Sequence, residues 1–223
     1  DMASEKDTAG MVFSSLLPLL LIIFLFSGCM AVAPESIAGE KERGTLATLL
    51  VTPLRRSELA VGKITALALI ALLSGASSAV GTLLSLPKLM GAAGSVNMDF
   101  YGVGDYLLLG VIILSTVLLL VTLISILSAF AKTVKEAQTL VVPLMIVAML
   151  VGVTAMFGGG AKTEPGFYLI PLYNSVQSIS GIFSFQVIPA NILVAVAANL
   201  VYTGLGVFVL TRMFNSEKIL FSR

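Results

Sequence analysis

The chain has 223 residues, of which 57% are hydrophobic and 11% charged, with a mean hydropathy of +1.04; a soluble domain carries charge on about a quarter of its residues, so this composition belongs in lipid. Its 13 basic and 12 acidic side chains leave a net charge of +1 and no reason to expect a nucleic-acid partner. Histidine is absent and Cys29 is the single cysteine, which excludes an internal disulfide, cysteine metal clusters, histidine-ligated zinc and His-based triads.

A bilayer forbids unpaired backbone, leaving helices or a closed barrel, and the alternation of a barrel strand is missing. The sequence therefore predicts an all-α polytopic membrane protein. The opening, DMASEKDTAG, lacks the basic stretch of a signal peptide. Crossing a core of ~30 Å takes ~20 apolar residues. Four charge-free intervals meet that length, namely A from Thr8 to Pro34, B from Ile64 to Pro87, C from Tyr106 to Ala131 and D from Ala137 to Ala161. They leave connections at 35–63, 88–105 and 132–136. Pro18 and Pro143 lie within A and D and mark expected bends.

Beyond D, residues 165–189 read PGFYLIPLYNSVQSISGIFSFQVIP, with Pro165, Gly166, Pro171, Asn174, Gln177, Gly181 and Gln186 interrupting any uniform apolar helix. Broken backbone at membrane depth is tolerated where protein buries it or a cavity lies beside it, so this stretch predicts a re-entrant or interfacial helical hairpin. Residues 190–211 form a clean span, E, followed by a tail over 212–223. Five crossings result.

Basic residues gather on one side: Lys41, Arg43, Arg55, Arg56 and Lys63 between A and B, Lys132 and Lys135 between C and D, and Arg212, Lys218 and Arg223 after E. The other side has Lys6, Lys88 and Lys162. Cytoplasmic loops retain the basic excess, which places the N-terminus outside and both the C-terminus and residues 35–63 in the cytoplasm. An outside N-terminus with no signal peptide asks for one more span upstream.

Residues 35–63 are the most charged stretch. On a helix, Ile37, Leu46, Leu49 and Leu50 make an apolar stripe and Glu40 to Arg43 a charge-dense end. Gly39 and Gly44 permit close approach or sharp bends, and Pro53 ends the helix before Thr52 or Ser57 caps the next. A helix held beside the membrane suits a permease that receives force from a cytosolic motor; the same residues suit a solvated loop that only fixes topology.

The stretch GEKERGTLATLLVTPLRRSELAVGK resembles the signature of ABC-2 type permeases, in particular the membrane subunits of Na+-extruding exporters of the NatB type. The resembling positions are Glu35, Gly39, Glu40, Lys41, Glu42, Arg43, Gly44, Thr45, Leu49, Leu50, Pro53, Gly62 and Lys63, and both IPLYNSVQSISGIFSF and the ending RMFNSEKILFSR are similar to that subgroup. The resemblance implies an ABC-2, type V exporter-like transmembrane domain over 1–223, with Glu35 through Pro53 coupling it to a cytosolic ABC ATPase. It implies ATP and Mg2+ on that partner and no cofactor on this chain, and a second permease copy or a paired permease beside it in the cell membrane. It also implies a cytoplasmic segment, a first span and an extracellular domain ahead of A, so either the chain is a C-terminal part of a longer protein or the complete protein obtains that span elsewhere. No GxxxxGK[ST] phosphate loop is present, since GEKERGT lacks the Gly-Lys-Ser/Thr order.

No ionisable residue occupies the centre of a span, whereas carriers coupled to ions usually place one there. A translocation path must then use neutral groups, and the candidates are Ser14 and Ser15 on A, Ser74 and Ser78 on B, Thr122 on C, and Asn191 and Asn199 on E, with Ser27, Ser77, Ser115, Thr116 and Ser125 as further hydroxyls in the spans. Each of these also serves plain helix packing, and the run from Ser74 to Gly81 suits close contact with a partner half. Two competing readings are a passive channel or structural membrane protein and, against the missing histidines, a membrane-embedded protease.

Overall fold

A computed structural model describes residues 2–45, 55–89, 102–157 and 161–215, and every regular element within them is helical. Five helices are long and apolar enough to cross a membrane. Helix α1 covers Met2–Pro34 and runs on through a π-helical turn, Glu35–Gly39, into a last α turn, Glu40–Glu42. Then come α2 (Arg56–Leu89), α3 (Val103–Phe130), α4 (Val134–Phe157), a 3-10 turn (Pro165–Leu169), the short α5 (Tyr173–Phe183) and α6 (Pro189–Phe214).

Helices α1 and α3 form the centre of the bundle. At least half of each central window is buried, against a third or less in α2, α4 and α6. Helix α1 packs on α2, α3, α4 and α5, while α3 reaches all the others. The peripheral helices turn Leu69, Leu73, Ile146, Leu150, Leu193 and Phe208 outward, an apolar surface that lipid accepts at no cost. Inside, Leu25, Phe26, Leu120 and Ile124 are fully enclosed or nearly so. Two glycines set helix separations: a Cβ at Gly75 would collide with Leu25, and one at Gly206 with the Thr122 methyl.

Two features differ from the expectation. Pro34 does not end the first span, because the chain continues helically to Glu42, and Ile37 is buried in the bundle rather than lying along a surface. The second long helix starts at Arg56, so Arg56 to Lys63 belongs to it and not to a loop; Glu58 closes its first turn by accepting from Arg55 N at 3.1 Å. Leu46, Leu49, Leu50, Thr52 and Pro53, and with them most of the predicted stripe, lie outside the described residues. Pro18 and Pro143 sit within helices that continue on both sides.

The stretch before α6 folds back on itself against the bundle, and only its return limb is α-helical. Asn191 Nδ2 donates to Thr163 O at 3.0 Å near the start of α6, and Tyr202 Oη donates to Leu169 O at 2.8 Å further along it. The 3-10 turn therefore descends beside α6. Leu172 reverses the chain with φ +66°, and α5 climbs back until Ser180 Oγ donates to Ser14 O at 3.1 Å. Residues 174–183 are all buried, which is how protein tolerates broken backbone at this depth.

Candidate functional site

Two polar assemblies stand out, one at an end of the bundle and one in its middle. At the end, the last turn of α1 meets the ends of the neighbouring helices. Lys63 on α2 donates from Nζ to Glu40 Oε1 at 2.6 Å, to Ser36 O at 3.0 Å and to Ser36 Oγ at 3.3 Å. Lys41 Nζ donates to Ala129 O, at the C-terminal end of α3, at 3.3 Å. Glu42 Oε2 accepts from Val134 N, the first residue of α4, at 3.0 Å. A cation thus sits at a helix C-terminus and an anion at a helix N-terminus, the favourable sense for both dipoles. Arg56 reaches Phe214 O at 2.5 Å and ties in the end of α6.

The local sequence explains this junction. Gly39 is buried against α4, where an added Cβ would stand 3.2 Å from Val134 Cγ2. Gly44, with φ +74°, supplies the left-handed residue that ends a helix, and Thr45 Oγ1 donates back to Glu40 O at 3.2 Å. Thr133 and Glu136 close the start of α4 with bonds at 3.2 Å and 2.7 Å, a capping arrangement. Glu35 and Arg43 pair at 2.6 Å with both side chains more than half exposed; that hydrogen bond, with the nearby carboxylates, raises the Arg43 pKa. Between the ends of α1 and α2 lies a cleft of about 640 Å³ with a charged rim of Glu35, Glu40, Arg43, Glu58 and Lys63 over an apolar floor that includes Leu67.

The second assembly lies where α5 begins. Asn174 Nδ2 donates to Asn199 Oδ1 at 2.7 Å and to Ala195 O at 3.2 Å, and its Oδ1 accepts from Ser175 N at 2.7 Å. Asn199 Nδ2 donates to Ser115 Oγ at 3.2 Å and Ser175 Oγ at 3.3 Å, while Thr116 Oγ1 and Ser175 Oγ are 2.7 Å apart. All five side chains are buried. Both side-chain amides use every N–H they have, so the cluster holds the returning limb to α3 and α6 at mid-bundle.

Of the candidates for a path, Asn199 belongs to this cluster and Asn191 anchors the descending limb. Thr122 donates to Leu118 O within its own helix and packs its methyl on Gly206. Ser14 is buried and accepts from Ser180 through its backbone, and Ser15 is half-buried. Ser74 is exposed and lies against Gly28, and the side chain of Ser78 falls outside the described residues. The structure brings together Glu40 and Lys63, and sets Lys41 and Glu42 on the α3–α4 connection. Asn174 was legible only as an interruption of an apolar run, and Ser175 was not singled out. Their partners, Ser115, Thr116 and Asn199, stand at the middle of other spans, and that shared depth was the signal available.

Five apolar helices around a buried polar seam, with one charged end, are the architecture of a multi-pass membrane protein. A family model described as "ABC-2 family transporter protein" matches residues 1–214. The chain belongs to that family. It is 29% identical over 199 residues to the ABC transporter permease protein NatB of Bacillus subtilis (strain 168), a match covering 85% of this chain and 49% of that relative. The chain thus spans about half the length of the curated relative it matches. No solved structure matches it.

Proposed function

We propose that this chain is a permease subunit that exports Na+ with energy from a separate cytosolic ABC ATPase, which docks on the charged end of the bundle. The observation that carries this reading is the convergence there of α1, α2, α3, α4 and α6 through Lys63, Lys41, Glu42 and Arg56. A push on the last turn of α1 is felt by every other crossing. The basic residues Lys41, Arg43, Arg55, Arg56, Lys63, Lys132, Lys135 and Arg212 cluster at or near this end, and the rule that such residues stay inside makes it cytoplasmic. Sodium as the cargo rests on the resemblance of the GEKERGT segment to Na+ exporters. A second permease completes the pathway, as a copy of this chain or a paired subunit, and ATP and Mg2+ bind the ATPase.

The test is to co-express the chain with a candidate cytosolic ABC ATPase from the same genome, purify the pair and reconstitute it in vesicles. ATP-driven movement of 22Na+, compared with drug and lipid probes, reads the cargo. Replacing Glu40 and Glu42 together by Ala is expected to leave ATP hydrolysis in place and abolish its coupling to transport. Unchanged transport in that variant, or no ATPase recovered with the chain, refutes the coupling role; transport of another probe alone refutes sodium.

A further inference from the structure

The geometry points to the π turn Glu35–Gly39 as a register switch that sets and breaks the junction at the charged end, a reading that rests on the coupling role proposed above. A π turn holds one more residue than an α turn. If it anneals to α while the helix before it stays fixed, everything beyond rotates by ~100° and advances by ~1.5 Å, and each residue yields its place to the one before it.

The consequences can be read residue by residue. Gly39 takes the place of Glu40, leaving Lys63 without its carboxylate. Glu40 takes the place of Lys41 and faces the carbonyl of Ala129, an anion at a helix C-terminus. Lys41 takes the place of Glu42 and faces Val134 N, a cation at a helix N-terminus. Both dipole interactions change sign, so annealing releases α2 and repels the α3–α4 connection in one step. The residue that replaces Gly39 against α4 is Ala38, now buried beside Ala131 and Ala137; its methyl would stand about 3.2 Å from Val134 Cγ2, so the Val134 side chain must give by a few tenths of an ångström to admit it. The present register also leaves Glu40 Oε2 buried with no hydrogen-bond partner among the described residues, which lowers the cost of leaving it. The device has two discrete states because three anchors at consecutive positions, Glu40, Lys41 and Glu42, move together.

Deleting Ala38 removes the extra residue. The turn becomes α while Gly39 to Glu42 keep their present partners, and the second register is closed. In the reconstituted complex with its ATPase, ΔAla38 is expected to export at least about tenfold more slowly than the parent, within the usual span of a coupling free energy, with ATP hydrolysis retained. A second measurement does not need the cargo. With Cys29 replaced by Ala, Gly39→Cys and Val134→Cys are expected to form a disulfide in the nucleotide-free complex when oxidised with copper phenanthroline, and to lose most of that yield when ATP and vanadate trap the ATPase. Adding ΔAla38 is expected to make the yield equal in both states. A nucleotide-independent yield in the parent complex, or ΔAla38 exporting at the parent rate, overturns the switch while leaving coupling intact. Failure to recover any ATPase with the chain overturns both.

Discussion

Two ion pairs on this chain have the same length and different surroundings, and their comparison gives a quantitative test. Glu40–Lys63 and Glu35–Arg43 both measure 2.6 Å, yet the side chains are 23% and 10% exposed in the first pair and 54% and 55% in the second. Exposed pairs contribute ~0–1 kcal/mol because water and salt screen them. Lys63 is different: it fills three acceptors on the end of α1, and one bond between charged groups contributes ~1.5–3 kcal/mol. Loss of one partner from a fully buried pair costs ~3–5 kcal/mol, and the residual access of water to Glu40 brings the expectation for Lys63→Met to about 2–3 kcal/mol. The buried thiol of Cys29, the single cysteine, is a convenient probe, since a maleimide reaches it only as the bundle opens. Unfolding in mixed micelles with increasing SDS, followed by this reaction, gives the destabilisation of Lys63→Met, Glu40→Gln and the double variant. A coupling energy of ~1.5 kcal/mol or more is expected for Glu40–Lys63 and no resolvable coupling for the solvent-screened Glu35–Arg43 pair. Equal and small coupling in both cycles would refute the claim that burial, and not distance, makes the junction strong.

Asn199→Leu removes bonds to Asn174, Ser115 and Ser175; at ~0.6 kcal/mol for an average interhelical bond in lipid, a loss of about 2 kcal/mol is expected in the same unfolding assay. Gly206→Val drives a side chain into Thr122, with an expected cost of ~1–3 kcal/mol that Thr122→Ala partly restores, because overpacking and its relief are local. Gly44→Ala places a side chain at φ +74° and is expected to cost about 1 kcal/mol, while a deletion of the carboxylate at Glu42 is expected to expose the amides at the start of α4 to faster hydrogen exchange, since that cap accepts from Val134 N.

The membrane crossings and the charged segment between the first two of them were legible in the sequence, because lipid imposes its demand on each stretch of about 20 residues separately. The broken character of 165–189 was legible for the same reason: Pro165, Pro171 and Asn174 deny a uniform span wherever they are placed. What the tertiary structure alone decided is which polar groups meet. Lys63 closes on Glu40, Glu42 caps α4, and Asn174 finds Asn199, each across a boundary between helices. Hydropathy reports whether a residue is apolar and not the depth or rotation of its helix, and those two quantities, set by packing at places such as Gly75 and Gly206, determine every contact between crossings. The passage of the helix through Pro34 into a π turn is of the same kind: proline marks where a helix is weakened, and the contacts of Ile37 and Gly39 with the bundle carry it onward.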